Sequence, residues 1–224
     1  MKVAIITKYN DAYKDMAEIT SENKKRYAER HGYTFIEDNG PYDKTDRSYN
    51  WAKLPAIQRH VKDFDWVMWS DCDSIIMDQS KRLEELIDAR YGLIASLFFM
   101  GGASKFDYTI HLGNFFVKFT KEIDRVFNVV NNCSDPQMLS SRMHEEEYFT
   151  HIYRKSQKLR KQTKLLKLEK LMASPSLWEK RPYGSKDDIK IYKPGDFIFH
   201  CQGPMDYDLR VSLLKQFNEK SKET

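Results

Sequence analysis

The feature that most constrains this chain is an apolar segment that ends in two carboxylates. Residues 65–78 read DWVMWSDCDSIIMD, so a run of large apolar side chains at 66–69 leads through Ser70 to Asp71 and Asp73. Such a run is typical of a strand buried on both faces of a sheet. Alternate residues of an extended chain point to the same side, so both carboxylates can face one ion. Because Mg²⁺ and Mn²⁺ prefer oxygen ligands, the pattern predicts a divalent-metal site at a strand end.

Two other interpretations of Asp71 and Asp73 stay open on the residues alone. The two side chains can be ordinary loop acids that cap the next element. Alternatively, haloacid-dehalogenase-like phosphatases also place D-x-D after an apolar strand and use the first Asp as nucleophile. Those enzymes usually carry the motif on their first strand, followed by Thr or Val, whereas here it lies on a later strand and Ser74 follows.

The rest of the chain alternates between strand-like and helix-like segments. Further strands are predicted at 2–7, 33–37, 92–99, 112–119 and 197–200, and helices at 13–30, 51–62, 81–89, 121–130 and 208–218. This alternation predicts an α/β fold with a mixed, mostly parallel sheet flanked by helices, in which ligands bind at the carboxyl ends of the strands. A length of 224 residues suits one domain, 1–224.

Composition narrows the class of protein. Hydrophobic residues make up 41% of the chain, enough for a packed core, and a net charge of +4 does not by itself indicate nucleic-acid binding. Three cysteines without CxxC spacing argue against a disulfide framework or a zinc site. With no signal-peptide pattern and no apolar run of about 20 residues, we expect a cytoplasmic protein. A Golgi-lumenal enzyme trimmed of its membrane anchor is the open alternative.

A histidine after another apolar segment is the candidate third metal ligand. Residues 196–203 read DFIFHCQG, so His200 follows a strand-like run and precedes Gly203, which lets the backbone approach a ligand closely. A lone histidine is more often structural than a ligand, and that alternative stays open.

Several segments occur in an order and spacing that resemble a known enzyme family. They are WAKLP at 51–55, the apolar strand with D-x-D at 66–73, NKKRYA at 23–28 with HGY at 31–33, LGNFFV at 112–117, and FHCQG at 199–203. Together they resemble glycosyltransferase family 34, the galactosyl/mannosyl/xylosyl-transferase family. The resemblance implies a GT-A fold, which is Rossmann-like, and a nucleotide-sugar donor, UDP-sugar before GDP-sugar. It also implies Mn²⁺ (or Mg²⁺), retention of anomeric configuration, and Asp71, Asp73 and His200 as metal ligands.

The resemblance also suggests which other residues bind the donor. We expect Thr7, at the end of the first strand, and Lys53 to line the donor site with Asp71. Asn114 and Gln202 are expected nearer the sugar or the acceptor, and Gly203 is a further predicted donor-binding residue. The family often has a basic residue after the glycine of the last turn, where this chain has Pro204-Met205-Asp206. The cation for the donor phosphates must therefore come from elsewhere in the chain, and Lys53 is one candidate.

Three consecutive acids supply the catalytic candidates. The family often shows an acid followed by Gln, whereas this chain has Glu145, Glu146 and Glu147 at a predicted helix start. Acids are favoured there by the helix dipole, which is the alternative to a catalytic role. A carboxylate near the anomeric carbon can act as nucleophile or stabilise an oxocarbenium-like transition state. Glu146 is favoured by position, before Glu145.

A basic helical segment is predicted at about 143–172. Residues 154–170 hold eight basic side chains with one acid, and their leucines are expected to form one apolar stripe. A solvated helix face that packs on the core is one interpretation. Peripheral contact with an anionic membrane is the other, and nucleic acid is not expected.

These observations predict a metal-dependent retaining glycosyltransferase. It would move galactose, xylose or mannose from a nucleotide sugar to an acceptor hydroxyl on a glycan or glycolipid. The alternatives are a phosphatase that uses Asp71 as nucleophile and a non-catalytic carbohydrate-binding module.

Overall fold

Eight strands make up two sheets in the computed structural model, which describes residues 1–99, 108–175, 190–203 and 205–224. The described strands are β1 (Val3–Thr7), β2 (Thr34–Glu37), β3 (Trp66–Ser70), β4 (Ser74–Ile76), β5 (Leu93–Phe99), β6 (Tyr108–Val117), β7 (Thr163–Leu166) and β8 (Ile198–His200). The main sheet has the order β2-β1-β3-β6-β5-β7, and β6 alone runs antiparallel to its neighbours in it. The predicted mixed, mostly parallel sheet is therefore confirmed.

Helices flank this sheet. Those described are α1 (Lys14–His31), α2 (Lys53–His60), α3 (Lys121–Asn131), α4 (Pro136–Leu139), α5 (His144–Lys155), α6 (Gln157–Lys161) and α7 (Tyr207–Ser221). Local sequence sets several of their ends. α1 stops where Gly32 adopts a left-handed conformation with φ 71°, and α3 begins where the Thr120 side chain accepts a hydrogen bond from the Ile123 amide.

The core lies on both faces of the sheet, which explains the apolar strands. In β1, Ala4 and Ile6 join one apolar cluster together with Leu54 of α2. Val3 and Ile5 point the other way, into a second cluster with Tyr27 of α1. All five residues of β3 are likewise buried, as the apolar run before the D-x-D predicts.

The basic segment at 143–172 is not one helix, contrary to the prediction. It divides into α5, α6 and β7, and β7 pairs with β5 in parallel register, Leu93 opposite Thr163. Leu159 is fully buried, and Leu165 packs on the core, so the expected apolar stripe serves the interior. The predicted helix at 81–89 is also wrong, because only a 3₁₀ turn at Leu83–Glu85 forms there. The predicted break at residues 100–102 lies outside the described residues.

In the described part of the chain, no helix is both long and apolar enough to span a bilayer.

Candidate active site

The D-x-D forms a tight connection between the two sheets. β3 ends at Ser70 and β4 begins at Ser74, so Asp71 and Asp73 lie in the turn between them. The Asp71 amide donates to the Gly113 carbonyl at 2.8 Å, which extends the ladder between β3 and β6 by one residue. Both carboxylates therefore leave the chain at the carboxyl end of a buried strand.

His200 reaches the same place through the second sheet. β4 pairs antiparallel with β8, and His200 lies opposite Ser74, next to Asp73. Its Nε2 lies 2.9 Å from Asp73 Oδ1 and 3.8 Å from Asp71 Oδ2. One ligand atom from each of the three residues falls within 4.8 Å of the others. The structure thus brings together the three residues predicted as metal ligands.

These three side chains fit a divalent cation chemically. Two carboxylate oxygens and one imidazole nitrogen suit Mn²⁺ or Mg²⁺, which usually keep waters or phosphate oxygens at other positions. Burial would raise the pKa of Asp73, but His200 and Arg210 beside it hold it well below its ordinary value. Asp73 is therefore a carboxylate, as a metal ligand must be.

A cavity of about 550 Å³ opens beside this cluster. Its wall includes the residues after β1, the start of α5 and the turn after β8. Among the predicted site residues it includes Lys53, Asp71, Asp73, Glu145, Glu146, His200, Gln202 and Gly203. Gly203 has φ 90°, a conformation that favours glycine. The volume is in the range of sites that hold small-molecule ligands.

Two predicted donor-binding residues do not line this cavity in the described structure. Thr7 is fully buried, and its neighbours Lys8 and Tyr9 reach the cavity instead. Asn114 is also fully buried. Its side chain accepts a hydrogen bond from Ser70 Oγ at 2.9 Å and donates one to Ser74 Oγ at 3.1 Å. Asn114 therefore ties together the two ends of the D-x-D turn rather than facing a ligand.

Lys53 is buried among acceptors of the protein itself. Its Nζ lies 2.7 Å from Glu145 Oε1 and 3.4 Å from Asp71 Oδ1, and it donates to the Leu112 carbonyl at 3.1 Å. Burial alone would lower the pKa of Lys53, but Asp71 and Glu145 raise it above its ordinary value. The ammonium is charged and fully engaged. This geometry does not support the predicted contact of Lys53 with donor phosphates, and it gives Lys53 the role of orienting Asp71 and Glu145.

Glu146 is held by β6. Its Oε1 accepts a hydrogen bond from the Leu112 amide at 2.6 Å and lies 3.2 Å from His111 Nδ1. Burial would raise the pKa of Glu146, but the adjacent His111 brings it below its ordinary value. Glu146 is thus an oriented carboxylate on the cavity wall, and its catalytic role stays a prediction.

Sequence reasoning missed two cations of the site. Arg210, on α7, pairs with Asp73 through Nη2 and donates from Nε to the Cys201 carbonyl at 2.9 Å. Arg142 precedes α5, is exposed and lines the cavity, and forms no ion pair with the described residues. Neither residue belongs to a motif. The only indication of Arg210 in the sequence is that a charged residue lies on the same side of the last helix as residues that face the core.

Comparison with known proteins supports the family resemblance. The model of the galactosyl transferase GMA12/MNN10 family matches residues 2–93. Over 83 residues the chain is 37% identical to the probable alpha-1,6-mannosyltransferase MNN10 of Saccharomyces cerevisiae, covering 34% of this chain and 21% of that protein. Over 88 residues it is 34% identical to an uncharacterized alpha-1,2-galactosyltransferase of Schizosaccharomyces pombe, covering 37% and 25%. The chain thus matches a fifth to a quarter of these relatives' length. The resemblance to glycosyltransferase family 34 is confirmed over this N-terminal part.

Solved structures extend the likeness to the whole fold. A glycosyltransferase involved in the glycosylation of the major capsid of PBCV-1 matches with a TM-score of 0.71 at 14% identity, over 96% of this chain and 100% of that chain. The galactosyltransferase LgtC in complex with donor and acceptor sugar analogs matches with a TM-score of 0.52 at 14% identity, over 98% and 95%. At these identities the likeness shows the fold alone, and it confirms the GT-A-like prediction.

Proposed function

We propose that this protein transfers a glycosyl group from a nucleotide sugar to an acceptor hydroxyl, with retention of configuration and with a divalent ion. The observation that carries the proposal is the cluster of Asp71, Asp73 and His200 on the wall of a ligand-sized cavity. The cluster lies at the carboxyl end of a parallel strand, β3, and α/β sheets bind ligands at the carboxyl ends of their strands. The relatives' names favour galactose or mannose as the sugar, with xylose as the third candidate. UDP is the preferred nucleotide, before GDP, and a glycan or glycolipid the acceptor class.

The protein's own residues would divide the work as follows. Asp71, Asp73 and His200 would hold Mn²⁺ or Mg²⁺, and a bound ion would neutralise charge on the leaving nucleotide diphosphate. Lys53 keeps Asp71 and Glu145 oriented. The bond from the anomeric carbon to the diphosphate oxygen breaks, with its electron pair leaving on that oxygen. The acceptor oxygen bonds to the same face of the carbon and loses its proton to the departing diphosphate.

Glu146 and Glu145 are the proposed stabilisers of positive charge on the sugar. Both are buried on the cavity wall and fixed by named donors, Glu146 by the Leu112 amide and Glu145 by Lys53. Burial raises the pKa of Glu145 to about 7 despite Lys53, so Glu146 is the more fully ionised of the two. A fixed carboxylate stabilises an oxocarbenium-like transition state without reorganising during the reaction. We give Glu146 the closer position to the anomeric carbon.

Arg142 is the proposed cation for the diphosphate. Lys53 and Arg210 are already paired with carboxylates of the site, and Lys8 is paired with Asp38. Among the described cations on the cavity wall, Arg142 is left without an ion pair. A guanidinium can bind phosphate oxygens through two parallel hydrogen bonds, which suits this position.

A donor panel tests the proposed function directly. Each UDP- or GDP-sugar is incubated with the protein, with Mn²⁺ or with EDTA, and nucleotide release is measured. We expect release from one donor with Mn²⁺, and a loss on the order of 10²-fold or more in Asp73→Asn, because an ion ligand is removed. Asp63→Asn, at an exposed aspartate outside the cavity, is the matched control and should match the native protein.

Other outcomes identify the alternatives. Full turnover in EDTA would rule out the metal-dependent mechanism. Release of inorganic phosphate from phosphomonoesters would favour the phosphatase, and sugar binding without turnover would favour the binding module. Because retention predicts an α product from an α-linked donor, an NMR coupling constant typical of a β linkage would refute the proposed stereochemistry.

A further inference from the structure

One face of α1 is polar although it is completely buried. Thr20, Asn23, Lys24 and Tyr27 are each 0% exposed. Their spacing of three and four residues places them on one side of the helix. A helix that packs on a sheet normally presents an apolar stripe to it. Polar groups at these positions lose their hydration, so they are retained only where they find partners in the protein.

The partners of this face are mainly backbone groups of one segment, residues 71–81, which begins with the D-x-D turn; Asn23 also donates to Ser221 Oγ at 2.9 Å. Lys24 Nζ donates to the Asp71 carbonyl at 2.7 Å, and Thr20 Oγ1 donates to the Cys72 carbonyl at 2.8 Å. Asn23 exchanges two hydrogen bonds with the Ile76 backbone, as a neighbouring strand would. The Tyr27 hydroxyl donates to the carbonyl of Lys81. α1 therefore fixes the turn and the strand that follows it.

Lys24 is the costly member of the set. Its ammonium forms no salt bridge with any carboxylate in the described part of the chain, and its other acceptor is Thr20 Oγ1 at 3.3 Å. A buried ammonium without a paired carboxylate is unfavourable compared with an apolar side chain of similar volume. A purely space-filling role would be served better by Met or Leu. The charge is explained by its partner: the ammonium binds the carbonyl of Asp71, which is one proposed ion ligand and lies two residues from the other, Asp73.

We infer that Lys24, assisted by Thr20, is a positioning residue of the divalent-ion site. Its ammonium holds the Asp71 carbonyl, and Thr20 holds the next carbonyl, so that the two carboxylates of the turn are aimed at His200. The inference rests on the proposed function, since it assigns the residue a role in binding the ion. It predicts that loss of Lys24 weakens ion binding itself, in addition to any effect on stability.

The test measures Mn²⁺ binding by the EPR signal of the free ion, with protein alone and with UDP present, so that catalytic turnover is not needed. Lys24→Met keeps the length of the side chain and removes its donors. We expect Mn²⁺ to bind about tenfold more weakly or worse, since a hydrogen bond from a charged group is lost at the ligand-bearing turn. Lys25→Met, one residue further on the exposed face, is the matched control and should bind Mn²⁺ like the native protein. Uridine binding should be unchanged in both variants.

Thr20→Val keeps the test decisive if Lys24→Met fails to fold. The isosteric change removes the hydrogen bond to the Cys72 carbonyl and the longer contact from Lys24 Nζ at 3.3 Å, but it keeps the bond from Lys24 to the Asp71 carbonyl. We expect a loss of about threefold in Mn²⁺ affinity. If the folded Lys24→Met variant binds Mn²⁺ with native affinity, the positioning role is wrong and the proposed function is unaffected. If Lys24→Met does not fold, native Mn²⁺ affinity of Thr20→Val has the same meaning. If the native protein binds no Mn²⁺ in either condition, the ion site itself is wrong and both proposals fall.

Discussion

Gly113 offers a test of how tightly the cluster of Asp71, Asp73 and His200 is built. It lies on β6 between the rings of His111 and His200, whose centroids are 5.3 Å apart. A Cβ placed on Gly113 would lie 2.5 Å from His200 Cε1 and 2.6 Å from His111 Cε1. Non-bonded carbon atoms pack at about 3.5–4.0 Å, so Gly113→Ala forces the rings away by roughly 1 Å. Neither ring can yield freely, because His200 is bonded to Asp73 and His111 to Glu146.

The size of the effect follows from this displacement. A misplacement of about 1 Å in a catalytic constellation can cost on the order of 10²-fold in rate. Overpacking of a buried position costs about 1–3 kcal/mol in the free energy of unfolding. In a domain of this length that lowers Tm by roughly 2–12 °C. We therefore expect a folded protein with near-complete loss of Mn²⁺-dependent nucleotide release.

Gly92→Ala is the matched control. A Cβ at Gly92 would meet its nearest atom, Thr120 Cγ2, at 3.1 Å, and this glycine is outside the cavity wall. Small adjustments accommodate it, so we expect a modest decrease in Tm and native turnover. The assay is nucleotide release at saturating Mn²⁺, alongside thermal unfolding of both variants. If Gly113→Ala keeps activity within threefold of the native protein, His200 does not need the position it occupies, and its assignment as a ligand is refuted.

Three further predictions concern charge. Burial would raise the pKa of Asp38, but hydrogen bonds from Arg59, Lys8 and His60 hold it well below its ordinary value. Asp38 therefore stabilises the fold above pH of about 4, the unfolded-state pKa, and this contribution is lost as pH falls further. Asp38→Asn should lower the unfolding free energy at pH 7 by about 3 kcal/mol in urea titrations. The difference from the native protein should shrink toward pH 2, and a constant difference would contradict the argument. Arg142→Met should weaken binding of UDP about tenfold in calorimetry and leave uridine binding unchanged, since the nucleoside lacks phosphate; equal losses for both would exclude a phosphate contact. If the exposed cations of 154–170 contact an anionic membrane, changing Lys155, Lys161 and Lys167 to Gln should weaken low-salt co-sedimentation with phosphatidylserine vesicles about tenfold or more, at about 1 kcal/mol per charge. If the native protein does not co-sediment with these vesicles, the side chains form a solvated surface.

The cluster of Asp71, Asp73 and His200 could be predicted from sequence because two levels of information agree on these residues. Asp71 and Asp73 are of the right chemical type and directly follow an apolar strand, and His200 follows another. The carboxyl end of β3 places Asp71 and Asp73 at the edge of the sheet where ligands bind, and the antiparallel pairing of β8 with β4 brings His200 beside them. The same reasoning failed for Thr7, which is also a polar residue at a strand end. A residue at a strand end can point to either face of the sheet and can be buried or exposed. Its position in the sequence alone does not tell whether it faces the cavity.

The prediction that the basic segment is one helix was wrong for a different reason. Residues 157–166 have good helix propensity, and α6 does form over Gln157–Lys161. The chain then leaves the helix, because residues 163–166 complete the edge of the sheet beside β5. That pairing joins segments about 70 residues apart and buries Thr163 and part of Leu165. Helix propensity is a local property, so it does not include the stabilisation that residues 163–166 obtain by pairing with a strand distant in the sequence.

The charges around the D-x-D suggest why the ion and the donor should bind together. Asp73 is matched by Arg210 and Glu145 by Lys53, while Lys24 lies beneath the turn. The negative charge of Asp73 is therefore largely compensated before any ion arrives, which keeps this carboxylate ionised and fixed, whereas burial raises the pKa of Glu145 to about 7. A divalent cation entering this site adds positive charge that the protein does not fully offset. A nucleotide diphosphate supplies the missing negative charge, so each should raise the affinity of the other, as reciprocal linkage requires.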